Sequence, residues 1–427
     1  MGTLTTASAS DDRTEAGPPS SPLADYLRDY WARVRSGDIG SLPAVAGLVV
    51  LSAIFEILKP DLFFTKANVA NLFTQGAGVT LIAMGLVFVL IIGEIDLSAG
   101  FTAGLCASVM TLLMTKQPGF MLPHGQSWLI GVPAALVTGM AVGALIGWIV
   151  SKIAIPSFVV TLAAYLAFQG VILMLLGEGN IVRISDPNIL RLENTSLDPT
   201  VGWILYLLVV VAYAGVRILK VRRRTRSGLS SEPALLTGVR VGALAVLLGG
   251  LVFMLNMERS LNPARSLKGV PVIVPVIGAL LVIWSFVLNR TAYGRHLYAV
   301  GGNREAARRA GIDVNKVRIS AFVICSLMAA VGGIILASRA NSVDSNTGGS
   351  DILLKSVGAA VIGGASLFGG RGRALDAVLG GAVIAIIDNG MGLLGLSAGT
   401  KSVFTGIVLL AAAGVDALSR RRGAAGT

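Results

Sequence analysis

The sequence predicts an all-α, polytopic membrane protein, and three observations support that prediction. The 427 residues are 54% hydrophobic and only 14% charged, with a mean hydropathy of +0.77, whereas soluble domains carry about 25% charged residues. The apolar residues form unbroken runs, unlike the alternating pattern of a membrane β-barrel. Aromatic residues make up only 6% of the chain, so the apolar residues are mostly aliphatic. A soluble globular domain, a disordered chain and a membrane barrel are therefore excluded.

Apolar runs near the length of about 20 residues that a helix needs to cross the hydrocarbon core recur along the chain. Twelve such runs are present, although the second and third are separated only by residues 93–96. We therefore predict about 12 spans, within a range of 10 to 12. The runs lie at 42–58, 72–92, 97–115, 128–150, 157–176, 201–219, 239–256, 270–288, 319–338, 352–368, 375–389 and 402–418.

The segment before the first run has a different composition. Residues 1–22 are rich in Ser, Thr, Gly and Pro and are predicted to form a disordered cytoplasmic tail without a cleavable signal peptide. Residues 23–41 place apolar side chains at helical spacing with arginines between them, which predicts an amphipathic helix on the membrane surface. A solvated linker helix is the alternative. Residues 42–427 are predicted to form a single transmembrane domain with a long cytoplasmic loop at 290–318.

The distribution of positive charge predicts the orientation. With the N-terminus inside, the inner segments carry more than twice as many Lys and Arg as the outer segments, which predicts that both termini are inside. The net charge of +12 then faces the lipid of the inner leaflet, so lipid and not nucleic acid is the expected partner of these charges.

Metal and disulfide chemistry is not expected. Cys106 and Cys325 both lie inside apolar runs, and the two histidines, His124 and His296, lie far apart in loops. Neither a disulfide framework nor a metal site has the residues that it needs, and we predict no cofactor.

The loop at 290–318 contains a short helix with consistent end signals. Asn303 is placed to cap its N-terminus, and Glu305 falls in its first turn. Arg308 and Arg309 fall in its last turn, and Gly311 follows at the position that favours glycine. A helix this short is marginal alone in water, so we expect it to rest on another surface, such as a motor subunit.

Three motifs resemble a known family. Residues 93–100 read G-E-I-D-L-S-A-G, residues 294–312 carry G-R, Y-A, G-G-N, A-A and G-I at family spacing, and residues 362–373 read I-G-G-A-S-L-F-G-G-R-G-R. Together these resemble the permease subunits of bacterial sugar ATP-binding-cassette (ABC) importers of the ribose, xylose and galactose class, over residues 42–418. The additional runs at 201–219 and 239–256 are similar to the xylose branch. Glu94 departs from the small residue more common in the family.

The resemblance implies ATPase-coupling residues in the loop. They are Gly294, Arg295, Tyr298, Gly301, Gly302, Asn303, Arg304, Glu305, Ala306, Ala307, Arg308, Arg309 and Gly311.

The resemblance also implies a division of labour between subunits in a bacterial inner membrane. A separate cytoplasmic cassette would hydrolyse ATP, an external sugar-binding protein would deliver a pentose such as xylose, and a second copy of this chain would complete the permease. The chain itself is then not an enzyme. Its nearest match to a phosphate-binding loop, at 395–402, places Thr400 where the second glycine belongs.

Candidate substrate-pathway residues are Glu94, Asp96, Ser98, Asp388 and Asn389. Carboxylates near the membrane interior are functional candidates by default. Residues 93–96 either break a helix and line a polar cavity, or form a cytoplasmic turn in which Asp96 caps the next helix. Asp388 and Asn389 either place polar groups at a helix end or belong to an Asn-Gly turn.

Two other functions compete with the importer. A proton-coupled secondary transporter would use Glu94 or Asp96 as its proton carrier, and a membrane scaffold would move no solute. Two outer loops, 177–200 and 340–350, are candidates for receiving a binding protein. Gly139, Gly143 and Gly147 predict close approach of another helix, either from this chain or from a second copy.

Overall fold

The computed structural model describes residues 41–116, 125–227, 234–260 and 266–425. The predicted tail and nearly all of the predicted surface helix lie outside these ranges. The helices are α1 (Leu42–Leu58), α2 (Lys66–Ile91), α3 (Ala99–Met114), α4 (Trp128–Trp148), α5 (Ser157–Leu176), α6 (Pro187–Asn194), α7 (Pro199–Arg226), α8 (Ala234–Asn256), α9 (Ile273–Arg290), α10 (Ala292–Gly302), α11 (Arg304–Arg309), α12 (Val314–Ala340), α13 (Ser350–Gly363), α14 (Ala374–Leu393) and α15 (Ala398–Ala425). The strands β1 (Val182–Arg183) and β2 (Ser342–Val343) form an antiparallel pair.

Each predicted apolar run corresponds to a helix, which confirms an all-α polytopic membrane protein. Eight helices in the described ranges are long and apolar enough to cross a membrane, namely α2, α4, α5, α7, α8, α9, α12 and α14. Helices α1 and α3 and the apolar part of α15 are shorter, and α13 has only 14 residues. The total of 12 spans and the inward position of both termini stay predictions.

Helix starts follow ordinary capping chemistry. The Thr65 hydroxyl accepts a hydrogen bond from the backbone of Asn68 and begins α2. Asp198 accepts one from the backbone of Thr200 and caps α7, whose first residue is Pro199. Because these side chains satisfy amides that have no partner inside the helix, they define where each helix begins.

Helices α2 and α12 form the centre of the bundle and are largely buried. The glycine stripe of α4 packs against α12. A Cβ at Gly139, Gly143 or Gly147 would lie 2.8 Å or less from a backbone atom of α12. The stripe therefore packs against a helix of the same chain. Its spacing alone left open whether that helix belongs to this chain or to a second copy.

Helices α3 and α13 begin inside the protein. Residues 93–98 run inward from the end of α2, and Ser98 is fully buried. The polar segment 344–349 also folds inward, and Gly348 and Gly349 contact Gly100 in the first turn of α3. At about 1.5 Å per residue, α3 and α13 are about 24 and 21 Å long, less than a hydrocarbon core of about 30 Å. Each is therefore a partial span whose N-terminus lies within the bundle.

The two ends of the bundle carry different structures. One end holds residues 92–94, α10, α11 and residues 364–373, and we call it the loop face. The other end holds β1, β2 and α6, which packs on the C-terminal end of α12, and we call it the opposite face. Helices α7 and α8 lie at the periphery and leave most of their apolar side chains exposed.

Candidate functional site

The three sequence motifs meet at the loop face. The backbone amide of Gly370 donates a hydrogen bond to the carbonyl oxygen of Ile91 at 2.7 Å. The Tyr298 hydroxyl donates to the carbonyl oxygen of Gly372 at 2.6 Å. Gly301 of α10 packs so closely on the end of α2 that a Cβ there would collide with the Ile91 carbonyl oxygen. We call this junction of 91–94, 298–304 and 368–372 the coupling site, after the role that the sequence motifs predict for it.

Glycines make the coupling site sterically feasible. Gly93, Gly369 and Gly370 have φ angles of +70°, +87° and +77°. This left-handed region is strained for residues with a Cβ, so glycine is the residue type that fits. The two signatures lie side by side, because the Phe368 carbonyl oxygen would be 3.5 Å from a Cβ on Gly93.

The short loop helix forms with the ends predicted from its sequence. The Asn303 side chain accepts a hydrogen bond from the backbone of Ala306 at 2.9 Å, which caps α11. Glu305 lies in the first turn, Arg308 lies in the last turn, and Gly311 follows with a φ of +81°. The helix rests on its own chain through Ala307, which is buried.

Glu94 is the electrostatic centre of the coupling site. Its side chain is only 7% exposed, and its Oε1 atom accepts hydrogen bonds from Arg304 at 2.8 Å and from Arg318 at 2.6 Å. Arg304 also donates to the Ile92 carbonyl oxygen at 3.1 Å. One carboxylate at the α2–α3 joint therefore binds the first residue of α11 and the second turn of α12, so these elements are held together by charge-assisted hydrogen bonds.

The outward side of α11 carries exposed charges. Glu305 lies 3.5 Å from Arg308 and 3.6 Å from Arg309, and all three side chains are exposed. Exposed pairs of this kind contribute little to stability. Their side chains are therefore available to a partner docking on the loop face. Of the predicted coupling residues, Arg295, Gly302, Asn303, Arg304, Glu305, Ala306, Arg308, Arg309 and Gly311 are exposed, while Gly294 and Ala307 are buried and Tyr298 and Gly301 are partly buried.

Asp96 and Ser98 form a cap in the buried segment before α3. Oδ1 of Asp96 accepts from the backbone amide of Ser98 at 2.9 Å and from its hydroxyl at 2.6 Å. Both residues are buried. This geometry favours the capping interpretation for Asp96. The chain turns at the loop face and then runs inward, so residues 93–98 combine a turn with a buried helix start.

The remaining pathway candidates lie elsewhere. Asp388 of α14 pairs with Lys355 of α13 at 2.8 Å. Asn389 exchanges side-chain hydrogen bonds of 2.8 Å with Asn68, which lies in the first turn of α2 and so at the far end of that helix from Glu94. The structure therefore does not bring all five candidates together, and Asn389 lies within its helix and not in a turn.

Sequence reasoning missed Arg318 as the partner of Glu94 and Lys355 as the partner of Asp388. Arg318 was only one of many positive charges in the loop at 290–318, and Lys355 was only a charge within an apolar run. The available signal was physical, because a charge in an apolar segment needs a partner. In the described ranges no group of three or more His, Cys, Asp or Glu side chains could hold a metal ion.

On the opposite face, the loop at 177–200 packs onto the end of α12. The Ser338 hydroxyl donates to the Ile189 carbonyl oxygen at 2.6 Å, and the Asn194 side chain donates to the Ser338 carbonyl oxygen at 2.9 Å. Glu193 of α6 lies underneath with only 6% of its surface exposed. Burial raises the pKa of Glu193 to about 8, and the positive charge of Arg339 opposes this increase only in part.

The raised pKa of Glu193 predicts pH-dependent packing of α6. The folded state holds the Glu193 proton more tightly than the unfolded chain, so this stabilisation is fully present below about pH 4.5 and is lost as the pH rises toward about 8. We expect amide protection in α6 to fall about tenfold or more between pH 6 and 8.5, measured by hydrogen exchange and corrected for intrinsic rates. In Glu193→Gln this pH dependence should disappear. Identical profiles for the two proteins would contradict the prediction.

Comparison with known proteins gives a consistent family. Residues 68–413 match the family model described as the branched-chain amino acid transport system / permease component. The chain is 32% identical to the xylose transport system permease protein XylH of Escherichia coli K12, over 96% of this chain and 100% of the relative. It is 31% identical to the corresponding protein of Haemophilus influenzae, over 88% and 95%. It is 29% identical to the ribose import permease protein RbsC of E. coli K12, over 87% and 92%. No solved structure shows a significant match.

Proposed function

Because this chain belongs to the permease family described as the branched-chain amino acid transport system / permease component, we propose that it imports a pentose, with xylose as the first candidate. It is the permease component of a sugar ABC importer of the xylose and ribose class. Such a permease works with an ATPase and a substrate-binding protein. Two copies of the chain in a bacterial inner membrane, with the loop face in the cytoplasm, complete the proposed assembly.

The coupling site is the observation that carries this proposal. A partner that binds the exposed side of α11 contacts a helix whose first residue is joined to Glu94. Glu94 follows the last residues of α2 and precedes the buried segment that leads into α3. A displacement of α11 is therefore transmitted to a joint between two helices of the transmembrane bundle. This is the connection that a permease powered by another subunit requires.

The proposed mechanism is alternating access. Nucleotide binding in the ATPase must favour one conformation of the permease over the other, because a ligand shifts an equilibrium only by its difference in affinity between two states. Arg304 and Arg318 hold Glu94 in place, so we assign Glu94 to this transmission and not to proton transfer. Asp96 and Ser98 would support the start of α3 beside the sugar path, and Asp388 and Asn389 would lie nearer the opposite face.

The proposal is tested by reconstitution with the exposed charges of α11 as the variable. Proteoliposomes holding this chain, its ATPase and ATP should accumulate labelled xylose delivered by the binding protein. The double variant Glu305→Ala/Arg308→Ala should lose at least about 90% of uptake while remaining inserted, because it removes the partner-facing charges from a helix that rests on Ala307.

Lys316→Ala is the matched control for this test. Lys316 is also exposed on the loop face and forms a similar pair with Asp313 at 3.3 Å, but it lies outside α11. Its uptake should stay close to that of the unmodified protein. Accumulation of sugar without nucleotide would contradict the importer assignment, and full uptake by the double variant would contradict the assignment of α11 as the coupling element.

A further inference from the structure

We propose that the first two turns of α13 line a water-filled path, and that Asp351, Lys355 and Asp388 form a polar triad that binds sugar hydroxyl groups there. The sugar as occupant rests on the proposed function. The water-filled surface does not, because it follows from the position and exposure of these side chains alone.

The triad is held by two short ion pairs. The Lys355 Nζ atom lies 2.8 Å from Oδ2 of Asp351, one turn earlier in α13, and 2.8 Å from Oδ2 of Asp388 in α14. The side chains of Lys355 and Asp388 are 16% and 19% exposed, but that of Asp351 is 65% exposed. Two carboxylates around one ammonium leave a net negative charge, and its exposed part is Asp351.

The triad lies well inside the transmembrane region. Helices α13 and α14 run antiparallel with Gly363 against Asp376 and Gly380 against Ala359, so Asp351 is level with Asp388. Twelve residues separate Asp351 from the end of α13 at the loop face, which corresponds to about 18 Å. Asp388, at the same level, lies five residues, or about 8 Å, from the end of α14 at the opposite face. In a hydrocarbon core of about 30 Å, the triad therefore lies inside the core, in the half nearer the opposite face.

An exposed carboxylate at this depth excludes contact with lipid. A charged side chain inside the hydrocarbon core is costly when lipid surrounds it, so such residues face a protein interior or water. Helix α7 shows the contrast, because its exposed side chains over residues 201–216 are apolar. The exposed side of α13, with Ser350, Asp351 and Leu354, therefore does not face lipid, and an aqueous space is the surrounding that keeps the Asp351 carboxylate hydrated.

The chemistry of this surface suits a neutral polyhydroxylated molecule. An ionised carboxylate only accepts hydrogen bonds, and a sugar offers several hydroxyl donors. Hydrogen bonds to a charged acceptor are roughly twice as strong as neutral ones. Ser350 is exposed, and its hydroxyl can both donate and accept. Leu354 offers an apolar surface for the C–H face of a sugar ring. A cation or an anion would instead disturb the Lys355 pairs.

Thiol accessibility tests the water-filled surface without any transport. Both native cysteines, Cys106 and Cys325, are buried, so background reaction is low. In membranes containing the full chain, Leu354→Cys should react with the membrane-impermeant cation 2-(trimethylammonium)ethyl methanethiosulfonate at least about tenfold faster than Val211→Cys, because only a thiol in water ionises readily. Val211 is 67% exposed on α7 and Leu354 is 56% exposed. Equal rates would overturn the proposal.

Uptake tests the role of the triad in sugar binding. In the reconstituted complex, Asp351→Asn should lower the rate of xylose uptake at least tenfold while Lys355 keeps Asp388 as its partner. Asp61→Asn, which changes an exposed carboxylate in the loop after α1, should have no effect. Uptake by Asp351→Asn at the unmodified rate would overturn sugar binding by the triad. If the unmodified complex accumulates no sugar while Leu354→Cys still reacts rapidly, the importer assignment fails and the water-filled surface stands.

Discussion

Replacing Gly301 by alanine is expected to reduce ATP-driven uptake by about 10- to 100-fold. The Cβ would collide with the Ile91 carbonyl oxygen and lie 2.9 Å from the Gly370 amide nitrogen. Backbone atoms cannot move to another rotamer, so α10 has to shift away from the end of α2, and overpacking of this kind typically costs about 1–3 kcal/mol. The measurement is the initial rate of uptake in proteoliposomes at equal amounts of inserted protein.

Gly302→Ala is the control for Gly301→Ala. Gly302 is the next residue in α10, and a Cβ there would meet no atom within 4 Å. Alanine is also the better helix former, so Gly302→Ala should insert normally and transport at close to the unmodified rate. If both variants transport equally well, close packing of α10 on α2 has no part in coupling. If both variants fail, the collision with the Ile91 carbonyl oxygen is not the cause, because Gly302→Ala makes no such collision.

Removing the Glu94 carboxylate is expected to have the larger effect. Glu94→Ala leaves Arg318, whose side chain is only 14% exposed, without the carboxylate that accepts its hydrogen bonds. Breaking a buried pair by removing one partner costs about 3–5 kcal/mol, so the joined arrangement of α2, α11 and α12 should be populated about 100-fold less or worse. Uptake should fall to background, and ATP hydrolysis by the complex should no longer respond to the loaded binding protein.

A charge exchange separates this role from proton transfer. The double variant Glu94→Arg/Arg318→Glu places opposite charges at the same two positions and should recover a measurable part of uptake, whereas Glu94→Arg alone should recover none. Arg304 would then face a like charge at position 94, so Arg304→Ala is added to the pair in a second version. A proton carrier at position 94 instead predicts no uptake by either exchanged protein, because arginine does not release its proton. Failure of both exchanged proteins to transport would contradict the structural role.

The contacts of Glu94 do not favour a proton carrier at that position, and the relatives favour neither competing function. A proton-coupled transporter needs a carboxylate that is free to bind and release protons, and Oε1 of Glu94 already accepts from two guanidinium groups. A scaffold that moves no solute has no need for an exposed carboxylate such as Asp351 within the hydrocarbon core. All three relatives described above are named as xylose or ribose permeases.

Local features were predictable because they depend on neighbouring residues. The cap at Asn303, the charges at both ends of α11 and Gly311 lie within nine residues of one another, and capping chemistry acts over that range. The order of the apolar runs was predictable for the same reason. The length of α13 was less so, because the predicted run at 352–368 continues past the end of the helix at Gly363 into a non-helical segment.

The sequence by itself determined that this protein is an all-α multi-pass membrane protein with a capped helix in a basic loop, and its motifs indicated the permease family. Only the tertiary structure decided that Glu94 pairs with Arg304 and Arg318, that the Gly139–Gly147 stripe receives a helix of the same chain, and that Asp351 is exposed while Asp388 is covered. Run lengths and end signals arise from contacts between near neighbours in the chain. Ion pairs between residues more than 200 positions apart depend on how helices pack, which no local pattern specifies.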